Sequence, residues 1–232
     1  NIAPYDNTMW YALGKIYENQ GKKTDAIDAY KKAIVYKPTN YQVRKDLRKL
    51  EGKKDVFDFF TVPQNPYEAY NNAPKASEYT EDNSLIIYNE IQKVVYSGGA
   101  SEEKHFILIK VLNPQGVDTW KEYSIPHLGM QQVVIEEAEA IKADGSKVKA
   151  ETNEDDIVFK KLEPGDAIYI VYKVENYMSG KLAPYFNDKL NFTYNVPYLK
   201  NKYSLLISPD IKFKYKFTYG DIKPNITNID EF

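Results

Sequence analysis

The sequence predicts an α+β multidomain fold, in which a helical hairpin is followed by an antiparallel β-sandwich. Residues 10–36 carry apolar side chains three to four positions apart, which is the helical period. From residue 84 onward, apolar and polar side chains alternate in about ten short segments separated by turn residues. We therefore divide the chain into a helical repeat at 1–52, an aromatic and proline-rich linker at 53–83, and a β-sandwich at 84–232.

Each of the two predicted helices has a packing face, formed by Trp10, Leu13 and Tyr17 on the first and by Ala26, Tyr30 and Ala33 on the second. Gly14 and Ala26 are small where the helices would cross, so the two backbones can approach closely. Gly21 suits the turn between the helices, and Pro38 ends the second one. These residues together resemble the tetratricopeptide (TPR) repeat. The resemblance implies a helical hairpin but no particular partner, because such repeats bind many unrelated proteins.

One repeat cannot bury its own hydrophobic face, so we expect it to pack on further helices or on another domain. Residues 41–51 continue as a third helix, and residues 1–8 resemble the loop after a preceding repeat. Since the chain also lacks an initiator Met, we expect it to be a piece of a longer protein. On the first helix, Tyr11 and Lys15 lie off the packing face. With Asn7 and Asn19 they are our candidate partner-binding residues, lining the concave groove of the repeat.

Composition excludes several classes of function. The chain has 232 residues, 43% of them hydrophobic, and a formal net charge of -2. Such a chain can form a sizeable core, but its evenly mixed charges do not indicate nucleic-acid binding, which needs a basic surface. Cysteine is absent, which excludes disulfides, thiol catalysis and sulfur-ligated metals from these residues. No apolar run approaches the length of a membrane span.

The strands of the second part are predicted at residues 85–96, 104–112, 120–125, 131–141, 147–151, 157–161, 167–175, 190–196, 202–207 and 211–219. Residues 113–116 suit a tight turn with Pro114 at its second position, and Asp144 with Gly145 is a hairpin signal. In the last segment, three lysines alternate with apolar residues, which we interpret as the solvated face of one strand. These lysines are Lys212, Lys214 and Lys216.

The β-rich part resembles the β-sandwich domain of unknown function found ahead of transglutaminase-like domains in bacterial proteins, many of them from Bacteroidetes. The resemblance covers about residues 73–219 and rests on the order of its motifs: the opening strand at 85–90, the strand at 107–113, the I-x-x-D-G hairpin at 141–145, the Glu-Pro-Gly entry to a long strand at 162–166, and the closing strands at 203–209. It implies that any activity belongs to a downstream domain with Cys, His and Asp. No catalytic residue is therefore carried over, and a periplasmic or cell-surface location is implied.

No residue pattern in this chain indicates catalysis, a metal or a cofactor. His105 and His127 have no second histidine or carboxylate at metal-ligand spacing. The acidic run 154–156 lacks the alternating order of a calcium loop, and paired carboxylates such as Glu136 and Glu137 are weak evidence for acid–base chemistry. We therefore predict no catalytic, metal-binding or cofactor-binding residues.

Tyrosines and phenylalanines around residues 178–189 offer a second hypothesis. Tyr177, Tyr185 and Phe186 are candidates for an aromatic platform that stacks on sugars, although tyrosine also fills strand faces by its β preference. The packing interpretation is favoured.

The function predicted from the sequence is a non-catalytic protein-interaction and positioning module of a larger transglutaminase-like or protease-like cell-envelope protein. Its partner would be a protein or peptide, with no nucleic acid and no membrane span. The alternatives are a carbohydrate- or peptidoglycan-binding module and an accessory domain that contributes residues to a neighbouring hydrolase site. Phe57, Phe59 and Phe60 are too apolar to stay solvated, so we expect at least two of these rings to be buried at the helical end or the domain junction.

Overall fold

The computed structural model describes residues 5–181, 183, 185–192, 195–218, 223–229 and 232. Three helices come first: α1 (Asn7–Asn19), α2 (Lys23–Tyr36) and α3 (Tyr41–Glu51). A β-rich part follows, so the predicted α+β class is confirmed.

The crossing of α1 and α2 depends on Gly14. A Cβ atom at this position would lie 2.3 Å from ring atom Cε1 of Tyr30, which is fully buried. Glycine therefore makes room for the tyrosine ring, as the spacing of the sequence predicts. The turn between the helices contains Gly21 with a positive φ of 72°, a conformation that costs glycine little. Asp6 caps α1 by accepting a hydrogen bond from the Thr8 amide at 2.8 Å.

In the part of the chain that the structure describes, nine strands form two sheets: β1 (Ser84–Val95), β2 (Ser101–Val111), β3 (Glu122–Ser124), β4 (Gln131–Ile141), β5 (Lys147–Lys149), β6 (Glu151–Asn153), β7 (Asp156–Val158), β8 (Ala167–Asn176) and β9 (Asn201–Ile207). The large sheet has the order β5-β4-β8-β2-β1-β9, and the small sheet has the order β3-β7-β6. The longer strands lie close to their predicted bounds, and the bounds of β4 are the predicted ones.

The main core lies between the two sheets. Ile107, Ile109 and Ile170 from the large sheet pack in one buried cluster with Ile125 and Ile157, which adjoin or belong to the small sheet. Two layers of unequal size therefore enclose the core, as in a sandwich.

The linker covers the opposite face of the large sheet. Its short helix α4 (Pro66–Asn71) packs Ala69 and Tyr70 against Leu108 and Tyr169. The Tyr70 hydroxyl donates to the carbonyl oxygen of Gly165 at 2.6 Å. This part of the linker is thus a third layer on the sheet.

Three details differ from the sequence predictions. Edge strand β9 runs parallel to β1, whereas the other strand pairings are antiparallel. Strands β8 and β9 therefore run in the same direction, so the chain between them must cross toward the end of the sheet at which β8 begins. The predicted turn at 113–116 instead begins helix α5 (Pro114–Trp120), because Asn113 caps it and proline is tolerated in a first turn. The described residues of 190–196 and 211–219 form no strand, because they pair with no strand of either sheet.

Candidate functional site

The candidate site is the surface formed by Tyr11 and Lys15 of α1 with Gln42 and Asp46 of α3, called here the α1–α3 face. The Tyr11 hydroxyl donates to Asp46 at 2.8 Å, and the Lys15 ammonium contacts the same carboxylate at 2.8 Å. Gln42 donates to the other carboxylate oxygen at 2.9 Å. Asp46 thereby connects α1 with α3.

A second carboxylate extends this network. Glu18 accepts hydrogen bonds from the Tyr30 hydroxyl at 2.6 Å and from Lys15 at 3.3 Å. The Tyr30 bond is the main reason that the pKa of Glu18 lies below its ordinary value, while burial raises the pKa of Tyr30. Desolvation opposes ionisation of Asp46, but hydrogen bonds from Lys15, Tyr11 and Gln42 outweigh it and lower its pKa. The hydrogen bond to Asp46 raises the pKa of Lys15 in turn. The face therefore keeps its charges over a wide pH range.

The four sequence candidates occupy different environments. Tyr11 and Lys15 come together at Asp46, whereas Asn7 contacts Asn40, whose side chain donates to it at 3.4 Å. Asn19 is exposed at the end of α1. Tyr11 also packs its ring 5.7 Å from the Tyr30 ring, so it belongs partly to the helical core. Sequence reasoning missed Asp46 and Gln42, although their i, i+4 spacing on a predicted helix was a usable signal.

The opposite side of α3 is fixed to the large sheet. The Ser101 amide donates to the Tyr41 hydroxyl at 3.1 Å, and the hydroxyl lies 2.8 Å from the Ser101 carbonyl oxygen and 2.5 Å from that of Asn176. The Arg44 guanidinium lies over the Tyr96 ring, 4.2 Å from its centroid. Burial is the leading cause that lowers the pKa of Arg44 and raises that of Tyr41.

The linker phenylalanines complete this junction. Phe57, Phe59 and Phe60 are partly buried against a cluster that contains Tyr41, Val56, Val94, Tyr96, Ala100 and Leu206. The Lys54 ammonium lies 3.9 Å from the Phe59 ring centroid. The three rings lie at the predicted junction, but each is only partly buried, whereas the sequence predicted at least two buried rings.

The candidate aromatic platform is not brought together as one surface. Tyr177 packs edge-on against Tyr41 at 5.4 Å and donates to Glu175 at 2.6 Å. Phe186 is half-buried, with the Lys93 ammonium 5.1 Å from its ring centroid. Tyr185 is 75% exposed. Because Tyr177 belongs to the helix–sheet junction, the three rings do not share an open face.

His105 belongs to a polar cluster within the large sheet. Its ring stacks on Tyr172 at 4.4 Å, and its Nε2 atom lies 3.3 Å from Glu103. Lys93 contacts Glu103 at 3.3 Å and Asp188 at 2.9 Å. Burial disfavours ionisation of Glu103, but His105 and Lys93 outweigh it and lower its pKa. Each ionisable group thus has a partner inside the cluster. Within the residues that the structure describes, no group of three or more His, Asp or Glu is arranged to hold a metal.

Two of the motifs behind the family resemblance, at 141–145 and 162–166, meet in space. Asp166, 1% exposed, accepts hydrogen bonds from the Glu163 amide at 2.8 Å and the Ala143 amide at 3.1 Å, and it contacts the Lys142 ammonium. Gly165 takes a positive φ of 98° in the turn before it. The motifs therefore tie the β4–β5 hairpin to the start of β8, which is a structural role.

Comparison with known families identifies both parts of the chain. The model of a domain of unknown function with solved structures (DUF3857) matches residues 97–231, more than half of the chain, so the chain belongs to this family. A tetratricopeptide repeat model matches residues 8–40. The chain therefore contains a TPR repeat in its helical part, followed by a DUF3857 domain in its β-rich part.

Similar solved structures include a candidate protease from Parabacteroides distasonis, 16% identical over 40% of this chain and 23% of that protein, with a TM-score of 0.36. An M1 zinc metallopeptidase from Deinococcus radiodurans is 12% identical over 43% and 22%, with a TM-score of 0.26. The chain spans less than a quarter of either protein. With TM-scores this low, the similarities carry no argument about function. No curated protein matches the chain.

Proposed function

We propose that this chain is a non-catalytic protein-interaction and positioning module. The main support is that α3 makes different contacts on two of its sides. Tyr41 and Arg44 hold the helix to the sheet, whereas Gln42 and Asp46 point toward α1 on another side. A TPR repeat fixed in this way holds the α1–α3 face at a defined angle to the β-rich part.

The α1–α3 face suits an extended peptide. Lys15 keeps 43% of its side-chain surface exposed, and Gln42 is exposed beside it. The ammonium group can donate to peptide carbonyl oxygens, and the side-chain amide can both donate to peptide carbonyl oxygens and accept from peptide N–H groups, without requiring one particular side chain. The helices would supply the contacts, and the partner would lie along the groove.

The wider setting follows from the family resemblance. The module would belong to a larger transglutaminase-like or protease-like protein of the cell envelope, with a periplasmic or surface location. The chain contains no cysteine, so thiol chemistry would have to come from another domain. Within the described residues, every helix is too short or too polar to cross a membrane. A contribution of this chain to a neighbouring hydrolase site stays a prediction.

Peptide display on the whole chain tests the interaction function. Peptides selected on the wild type should lose affinity for a Lys15→Ala/Asp46→Ala variant. The matched control is Lys23→Ala/Asp28→Ala, which removes one charge of each sign from exposed positions of α2. Equal binding to both variants would place the interaction elsewhere.

Transamidase and peptidase assays on the same chain test the non-catalytic part. We expect no turnover above a buffer control. Turnover that a single substitution in this chain abolishes would contradict the proposal.

A further inference from the structure

Residues 211–217 have a strand-like sequence, and the backbone of residues 212–217 pairs with no other described backbone group. Ile211, Phe213, Tyr215 and Phe217 alternate with Lys212, Lys214 and Lys216, a period of two. Within the described part of the chain, residues 212–217 make no backbone–backbone hydrogen bond. We propose that this segment is a docking strand for an extended protein segment in which acidic and apolar side chains alternate. The proposal is independent of the α1–α3 face.

The aromatic side of the segment is continuous and open. The Phe213 and Tyr215 rings lie 6.1 Å apart, and the Tyr215 and Phe217 rings lie 5.7 Å apart. Phe213 is 43% exposed and Tyr215 is 55% exposed. When a partner covers an exposed row of aromatic rings, removal of the rings from water stabilises the complex.

The lysine side of the segment specifies the partner's charge. Lys212, Lys214 and Lys216 are exposed and form no ion pair with any described residue. Opposite charges facing each other across a strand pair are favourable, whereas like charges facing each other are destabilising. A partner with carboxylates at alternate positions would meet all three ammonium groups.

The same charges disfavour a second copy of this chain. Antiparallel pairing of two copies centred on Lys214 would place Lys212 against Lys216 and Lys214 against itself. Lysines at a strand edge protect against such self-association. A flat polyanion fits less well, because an extended strand turns the lysines and the rings to opposite sides. Only a partner that pairs as a strand contacts the lysines, the aromatic rings and the backbone of the segment together.

The start of the segment is already held at the sheet. The Ser208 amide donates to the Val95 carbonyl oxygen at 2.9 Å, and the Ile211 amide donates to the Ser208 carbonyl oxygen at 3.0 Å. The Ser97 hydroxyl donates to Asp210 at 2.7 Å. Because these hydrogen bonds already restrict the chain at the start of the segment, the segment loses less conformational entropy on pairing.

Fluorescence anisotropy with synthetic heptapeptides tests the proposal. The probe alternates four valines with three glutamates, and the control peptide has the same composition in two blocks. We expect the alternating peptide to bind the whole chain about ten-fold more tightly than the block peptide, which corresponds to about 1.4 kcal/mol, since only the alternating peptide can place a glutamate opposite each of the three lysines.

A variant with Lys212→Glu, Lys214→Glu and Lys216→Glu should lose this preference and instead prefer a valine–lysine peptide. A matched variant, Lys23→Glu/Lys45→Glu/Lys75→Glu, carries the same net charge and should keep the wild-type preference. Tyr215→Pro should also abolish binding, because proline removes a ladder donor.

Equal affinity for the alternating and block peptides would overturn the proposal. So would a preference retained by the 212/214/216 variant, tighter binding of single-stranded DNA or anionic vesicles than of the peptide, or dimerisation of the wild type lost in Tyr215→Pro.

Discussion

The hydroxyl of Tyr41 accepts a hydrogen bond from the backbone amide of Ser101 across 3.1 Å, and this contact joins the first turn of α3 to the start of β2. The two residues are 60 positions apart in the chain. Tyr41 is also 6% exposed, so its ring and its hydroxyl both take part in the junction. A single side chain thus couples the helical repeat to the large sheet.

Tyr41→Phe should destabilise the protein by about 1–3 kcal/mol, because it leaves the Ser101 amide and nearby carbonyl groups without their buried partner. Urea denaturation measures the change. Tyr36→Phe, at a tyrosine that is 39% exposed, should change stability by no more than about 0.5 kcal/mol. Equal stabilities for the two variants would show that the Tyr41 hydroxyl contributes nothing at the junction.

Gly14→Ala should lower the stability of the helical repeat even though alanine is the better helix former. The new methyl group would overlap the Tyr30 ring and force it away from Glu18, and overpacking of this kind costs about 1–3 kcal/mol. Helical circular dichroism during thermal unfolding reports the loss. Asn19→Ala, at an exposed position of the same helix, should be neutral or slightly stabilising. A more stable Gly14→Ala variant would contradict the crossing geometry.

Phe59→Ser/Phe60→Ser should loosen the junction. Full burial of an aromatic ring contributes roughly 1.5–3 kcal/mol, and these partly buried rings contribute less. We expect faster protease cleavage near Pro63 and a wider distribution of distances in small-angle scattering. Val62→Ser is the control, because Val62 is 85% exposed. If cleavage and scattering match the wild type, the rings do not fix the helical repeat to the sheet.

Asp46→Asn should reduce the loss of stability in acid. The pKa of Asp46 is lower in the folded protein than its ordinary value of about 3.9, so its ionised form stabilises the fold above that pH. This contribution disappears as the pH falls through the folded-state pKa. Denaturation at about pH 7 and about pH 3 should show a smaller difference for Asp46→Asn than for the wild type. Asp28→Asn, at an exposed position of α2, should behave as the wild type does.

Local patterns in the sequence predicted much of the fold. Gly14 and Gly21 occupy positions where a side chain would clash or strain the backbone, so the helical hairpin was visible in residue types alone. Strand β4 was visible because apolar residues recur at alternate positions on either side of its irregularity between Ile135 and Glu137. The short helix α5 was missed, because Pro114 and Gly116 suit a turn as well as a capped first helical turn.

Relationships between distant residues were not predictable in the same way. Asp46 contacts Tyr11, 35 positions earlier, and nothing local to either residue indicates the pairing. The parallel direction of β9 depends on where the connection 177–200 brings the chain, which strand alternation does not encode. Residues 211–217 have a strand pattern, but a strand also needs a neighbour to pair with.

The position of β9 beside β1 has a consequence for the order of folding. Asn89 pairs with Asn201, 112 positions later, whereas the β1–β2 hairpin closes through the short turn after Val95. Loop-closure entropy makes the distant pairing slow to form, so the hairpin and β8 would assemble first. Until β9 pairs with β1, the outer edge of β1 would present unpaired backbone groups to other chains. The risk of aggregation would be greatest during this interval. Pulsed hydrogen exchange during refolding should therefore protect the amides of β2 before those of β9.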